Sequence, residues 1–204
     1  RLTTTLLAIG VVAPTRVSPQ ARAPAGAPSQ PRLGTRGVPI IERDGLRFKD
    51  LNRSGAVDPY EDWRLTPDAR ARDLVGRMTL EEKAETMMHG TARGAAPMAM
   101  AGVGTSYDTA ANRALIDGAK VTSMITRLGG MPAALAAQNN LLQEIAERTR
   151  LGIPVTISTD PRHHFQYVLG ATVSAGKFSQ WPEALGLAAI GDAALVRRFG
   201  DIAR

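Results

Sequence analysis

One stretch constrains the architecture more than any other: residues 121–160 read as strand, helix and strand in close succession. Val121 to Leu128 has the apolar and β-branched content of a strand, and Gly129-Gly130 that of a turn. Pro132 opens a helix predicted to run to Thr149. Leu135, Leu142 and Ala146 share one of its faces, Leu141 and Ile145 lie beside it, and Glu144 and Arg148 form an outward pair four residues apart. Gly152 ends the helix. Ile153 to Thr159 is then a second, mostly β-branched run that stops at the turn-forming pair Asp160-Pro161. Two strands joined by a crossover helix of this length are parallel, and the crossover is right-handed. The predicted fold class is therefore α/β. Ligands of such sheets gather where the strands end and the loops converge, so Asp160 is the first candidate for contact with a substrate.

The charge balance narrows the function less than its size suggests. The formal net charge is +6, but residues 1–41 hold five arginines (Arg1, Arg16, Arg22, Arg32, Arg36) and no acid, which leaves +1 for the rest. The excess belongs to a tail, and no basic groove with interleaved aromatics points to nucleic acid. With no cysteine, disulfides, thiolate metal sites and cysteine catalysis are excluded, and either redox compartment is compatible.

The tail itself has two parts. Arg1 and the apolar run Leu2 to Ala13 are too short to cross a bilayer, which takes about 20 residues, but suit the core of a secretory signal, with Ala21-Arg22-Ala23 as the cleavage site. The alternative is a disordered tail that is merely apolar. Pro14 to Pro39 contains six of the 13 prolines, with Ala, Gly and Ser, and reads as a linker. The expected organisation is a signal over 1–23, a linker over 24–44, a lead-in over 45–66 and an incomplete α/β domain over 67–204. Export places the protein in the periplasm or outside the cell, with no stable membrane insertion once the signal is removed.

In the lead-in, Asp50 to Glu61 reads D-L-N-R-S-G-A-V-D-P-Y-E. Oxygen-bearing side chains stand at loop positions 1, 3, 5, 9 and 12 (Asp50, Asn52, Ser54, Asp58, Glu61). Gly55 is at position 6, and the Ala56 carbonyl would serve position 7. That is the spacing of a calcium loop, since a hard cation needs six or more oxygens. Gly45 and Pro59 spoil the flanking helices, so a surface turn in which Asp, Asn and Ser bond their own backbone is the other reading.

Two short helices are expected next. Thr66-Pro67 caps the first, in which Ala71, Leu74, Val75 and Met78 recur at helical spacing. Thr79-Leu80-Glu81-Glu82 is a capping box opening a second, expected to turn Ala84, Met87 and Met88 inward. Residues 90–104 read as loop, and His89 as a helix cap. Beyond Asp160, Pro182 and Glu183 open a short helix, and Asp192 caps a last one with Leu195, Val196, Phe199 and Ile202.

Five motifs in order carry a family resemblance: M-T-L-E-E-K from Met78, V-T-S-M-I-T-R from Val121, Q-N-N-L-L-Q-E-I-A-E-R-T-R-L-G-I-P-V from Gln138, T-D-P-R-H-H-F from Thr159 and F-S-Q-W-P-E from Phe178. Together they resemble the start of a family 3 glycoside hydrolase of the β-glucosidase type, over roughly residues 45–204. The segment Asp50 to Trp63 resembles the lead-in many of these enzymes carry before the barrel. Glu85-Thr86 departs from the Gly-Gln the family often has there.

The resemblance implies the N-terminal portion of a (β/α)8 TIM-type barrel, usually followed by a second α/β domain. It implies retaining hydrolysis of β-linked glucosides or oligosaccharides, with no cofactor needed for catalysis. Retention uses two carboxyl groups about 5 Å apart, one the nucleophile and one the acid/base. In the family both lie later in the chain, as does a Lys-His pair that grips the sugar, so no catalytic residue is expected within these 204 residues and the fragment is expected to be inactive. The matching position present is Asp160, which in the family bonds hydroxyls of the terminal sugar. Arg162 and His163 either line the same cleft or brace its loop. His163 and His164, as neighbours, point apart and do not suit a paired metal site. Phe178 and Trp181 offer either an aromatic face to a sugar or a cap on the barrel, Arg127 stands at the end of the first strand, and Glu183 is a helix-start acid. A non-catalytic sugar- or calcium-binding protein, and a β-xylosidase or β-N-acetylglucosaminidase on the same scaffold, are the alternatives.

Overall fold

The computed structural model describes residues 29–96, 104–159 and 176–204. Its lead-in begins with an antiparallel hairpin, β1 (Ile40–Arg43) and β2 (Leu46–Lys49), paired from Ile40 opposite Lys49 to Arg43 opposite Leu46. The two-residue turn Asp44-Gly45 has positive φ at both positions, 53° and 72°, the twist that tight hairpins require. Phe48 of β2 is wholly buried, its ring stacked 5.5 Å from that of Trp63, with the Arg64 guanidinium 4.9 Å from its centroid.

Helix α1 (Pro67–Arg77) starts where the proline signal predicts, with the Thr66 hydroxyl accepting from the Ala69 N–H. Helix α2 (Leu80–Glu85) opens on the expected box: Thr79 accepts from the Glu82 N–H, and the Glu82 carboxylate accepts from the Thr79 N–H at 2.9 Å. The expected inward face fails here. Helix α2 stops at Glu85, and Met87 and Met88, now outside the helical repeat, are 86% and 56% exposed. Its one buried residue is Glu82, ion-paired with Arg150. Helix α1 likewise buries no residue, and Val75 is exposed.

The centre is a three-stranded parallel sheet in the order β3 (Gly90–Thr91), β4 (Ser123–Ile125), β5 (Thr156–Ser158). Thr91, Ile125 and Ser158 are in register across it. β3 was expected to be loop. Instead Gly90 and Thr91 pair with Met124 and Ile125, and Gly90 packs closely there: a Cβ would stand 3.2 Å from a Val121 methyl. The Ala92 N–H donates to the Ile125 carbonyl and continues the ladder. Between β3 and β4 lie helix α3 (Thr109–Arg113), capped by Asp108, and a π-helical extension, 114–118. Helix α4 (Pro132–Glu147) is the crossover from β4 to β5, as the sequence pattern predicts. β4 and β5 are shorter than their apolar runs.

The core lies on one side of this sheet. Met124, fully buried, packs with Val121, Leu128 and Val155, with Leu142, Ile145 and Ala146 of α4, and with Ala92, Tyr107 and Ile116; Ile157 adds to it. Side chains alternate along a strand, so Thr91, Ser123, Ile125, Thr156 and Ser158 occupy the face opposite Met124, and none of them is fully buried. These elements form an α/β unit with a parallel sheet. Helices α5 (Ala184–Ile190) and α6 (Ala193–Ala203) follow; Asp192 caps α6 as predicted, and Trp181 packs at 5.4 Å on Phe199. Leu185, Ile190, Val196 and Ile202 are exposed.

The lead-in docks on the end of α4 through one buried carboxylate. Glu147 accepts from the backbone N–H of Arg36 at 2.6 Å and of Gly37 at 2.7 Å, and pairs with Lys49 Nζ at 3.1 Å. Arg53 donates to the Glu147 carbonyl at 2.8 Å. Burial would raise the Glu147 pKa, but the Arg36 and Gly37 amides and the Lys49 ammonium more than offset it and hold the carboxyl below its ordinary value. Gly152, at φ 58°, makes the turn from α4 into β5, and a Cβ there would meet the Leu51 carbonyl at 2.8 Å. Only glycine serves at that position.

Candidate functional site: the carboxyl edge of the parallel sheet

Three strands deliver their last residues to one edge: Arg93 just past β3, Thr126 and Arg127 past β4, Ser158 and Thr159 at the end of β5. Two buried polar side chains hold that edge. Asn112, fully buried, accepts from the Arg93 N–H at 2.9 Å and donates to the Arg93 and Asp108 carbonyls, both at 2.7 Å. The Tyr107 hydroxyl lies 2.6 Å from Thr126 Oγ1 and 3.0 Å from Asn139 Oδ1, and its burial raises the phenol pKa, so it stays protonated. At the start of β5 the Gln143 amide clamps Val155 reciprocally, donating to its carbonyl at 2.7 Å and accepting from its N–H at 3.1 Å. None of these three side chains stands out in the sequence, because each is recognised only by a partner folded against it.

Alternation puts Arg127 on the same face as Ile125, since Met124 and Leu128 are both in the core. Arg93 and Arg127 are exposed, and neither has an ion-pair partner among the described residues. On the same face His89, expected as a helix cap, instead places Nε2 2.9 Å from Ser158 Oγ. That is the reach of a base to a serine nucleophile. Acyl-transfer chemistry also needs a third group to orient the imidazole, and no described residue supplies one.

Asp160, Arg162 and His163 lie outside the described residues, as does His164. Of the other candidates, Trp181 donates its indole N–H to Ser179 Oγ at 3.2 Å and Phe178 is exposed.

The Asp50–Glu61 loop lies at the opposite end of β5. The Tyr60 hydroxyl bonds the Leu151 carbonyl at 3.3 Å, before that strand begins. Its oxygens are turned on the chain's own donors. Asp50 accepts from the Ser54 and Gly55 N–H groups, and Glu61 from those of Leu51, Asn52 and Asp58. Asp58 accepts from Asn52 Nδ2 at 2.7 Å and pairs with Arg77 at 2.8 Å. Ser54 Oγ is 3.2 Å from the Ala56 carbonyl. Burial would raise the Asp58 pKa, yet the Asn52 and Ser54 hydrogen bonds and the Arg77 charge lower it; in Glu61 burial wins and the pKa is raised. Among the described residues no group of three or more His, Asp or Glu side chains is disposed to hold a metal ion. A cation here would have to displace these donors.

No family model matches the chain. Its relatives are nevertheless clear. A periplasmic β-glucosidase/β-xylosidase of Dickeya chrysanthemi is 59% identical over 181 residues, which is 88% of this chain and 27% of that protein. β-Glucosidase C of Emericella nidulans is 43% identical over 164 residues, 78% of this chain and 26% of that protein. A probable β-glucosidase C of Aspergillus oryzae is 38% identical over 154 residues, 74% of this chain and 24% of that protein. The chain belongs to the family of these β-glucosidases. It spans about a quarter of the length of the curated relatives it matches.

Proposed function

We propose that this chain is the leading part of the barrel domain of an exported, retaining β-glucosidase of glycoside hydrolase family 3. What carries the reading is the 59% identity to the Dickeya protein over 88% of the chain, a span that takes in the whole parallel sheet. In this proposal β3, β4 and β5 are early strands of a (β/α)8 barrel. Their polar far face becomes the barrel interior, and their carboxyl edge becomes one wall of the sugar pocket. Asp160 binds hydroxyls of the terminal β-D-glucosyl residue through charge-assisted hydrogen bonds, with Arg162 and His163 beside it. The nucleophile and the acid/base come from chain beyond residue 204, so the 204-residue chain alone does not turn substrate over. Export to the periplasm or the medium rests on the apolar N-terminal run and on the word "periplasmic" in the Dickeya protein's name; among the described residues no helix is long and apolar enough to cross a membrane.

The test is direct. The full-length protein should hydrolyse an aryl β-glucoside, and Asp160→Ala should cut kcat/KM by roughly 10²-fold or more, the loss expected of charged hydrogen bonds. An inert full-length protein, or unchanged kinetics in the variant, defeats the respective part of the reading. A β-xylosidase activity is the second reading, favoured by the Dickeya protein's name, and parallel assays on aryl β-xylosides decide it. Structural calcium in the Asp50–Glu61 loop is a lesser proposal, supported by its oxygen spacing and tested by calorimetric titration of calcium into the full-length protein.

A further inference from the structure

The His89–Ser158 contact is an unusual use of a histidine. Thr91, Ile125 and Ser158 are in register across three strands, and His89 stands two residues before Thr91, on the same face. Its imidazole therefore crosses β4 on the side away from the helices to reach Ser158 at 2.9 Å. Ser158 Oγ also lies 3.4 Å from the Met124 carbonyl. When the serine hydroxyl donates to that carbonyl it accepts from His89 Nε2–H, which fixes the ring orientation and leaves Nδ1 as an acceptor. In the other tautomer Nδ1 is a donor. Either way Ser158 is the imidazole's one hydrogen-bond partner among the described residues, and His89 is exposed.

A histidine serving only to fasten two strands would gain most by being buried with both nitrogens satisfied. This one is oriented on one side and open on the other, on the polar face, and Ser158 stands two residues before Asp160 in the chain. A neutral imidazole both donates and accepts, which matches a sugar hydroxyl. We propose that His89, oriented by Ser158, is a sugar-binding residue that hydrogen-bonds one ring hydroxyl of the terminal pyranose, with Ser158 as its positioning residue. The assignment rests on the glycosidase reading given above.

The experiment uses the full-length protein and a set of aryl β-glucosides, the parent and its 2-, 3-, 4- and 6-deoxy analogues. In the wild type each deletion should lower kcat/KM. In His89→Ala the parent should lose about tenfold in kcat/KM, the size of one neutral hydrogen bond or slightly more, and the penalty at one deoxy position should vanish while the others persist. His89→Asn should recover part of the loss. Ser158→Ala should reproduce the pattern in weaker form, about threefold. An active wild type whose deoxy penalties all survive unchanged in His89→Ala and His89→Asn overturns the assignment while leaving the glycosidase reading intact. A wild type inert toward every glucoside removes that reading, and the assignment with it.

Discussion

Glu147, at the end of α4, and Ser158, at the end of β5, mark two regions that treat polar atoms in opposite ways. Around Glu147 the lead-in closes each polar group on another part of the chain: two backbone amides and an ammonium meet the carboxylate, and Arg53 caps the carbonyl. Among the described residues, the side chains on the face that carries Ser158 are not part of the buried core, and Arg93 and Arg127 stand without ion pairs. Parallel sheets are normally covered on both faces. The difference separates residues that hold this unit together from residues left open, and under the function proposed above it gives stability to the first region and recognition to the second.

Substitutions can sharpen or break that division. The largest effect is expected on the covered side of the sheet. Met124→Ala should cost about 3 kcal/mol by leaving a cavity among Val121, Leu142 and Val155, read as a lowered denaturant midpoint at constant slope. Close behind comes Glu147→Ala, at about 2–3 kcal/mol, because it removes the acceptor of two part-buried backbone amides and leaves the Lys49 ammonium unpaired. Protease cleavage between residues 29 and 66 should rise in step. Gly152→Ala should cost about 2 kcal/mol, since both its φ of 58° and the Leu51 carbonyl reject a Cβ.

A pH titration separates the two regions without mutating the core. The Glu147 and Glu82 carboxyls both have pKa values held below the ordinary 4.5, burial being outweighed by the amides and Lys49 in one and by Arg150 and the Thr79 amide in the other. Depressed carboxylate pKa values give stability that is fully present above 4.5 and lost as pH falls through the folded values. The acid limb of the stability curve should therefore flatten in Glu147→Gln. Smallest of all should be Thr156→Val on the open face, within about 0.5 kcal/mol in either direction. A loss there as large as that of Met124→Ala would erase the contrast.

Local chemistry made part of this legible in the sequence. The strand-helix-strand unit, the Thr66 and Asp192 caps and the Thr79 capping box follow from short-range pattern, and each stands where the pattern puts it. β3 escapes because a strand of two residues has no alternation to detect, and because its pairing partners, Met124 and Ile125, lie far along the chain. Met87 and Met88 mislead because the helical spacing of apolar residues runs on past the true end of α2 at Glu85. The Glu147 anchor joins residues about 110 positions apart, a contact no window on the chain records. For the candidate site, strand-end position points to Asp160, which lies outside the described residues, whereas local pattern reads His89 as a cap because its partner lies 69 residues away.

The chain's two tryptophans serve different elements: Trp63 stacks on Phe48 of the hairpin, and Trp181 packs on Phe199 of α6. Their emission and near-ultraviolet dichroism supply two built-in optical probes, and Trp63→Phe and Trp181→Phe would each silence one. Melting curves from such a pair would report whether the docked hairpin and the last two helices come apart at one temperature or in sequence, with no external dye.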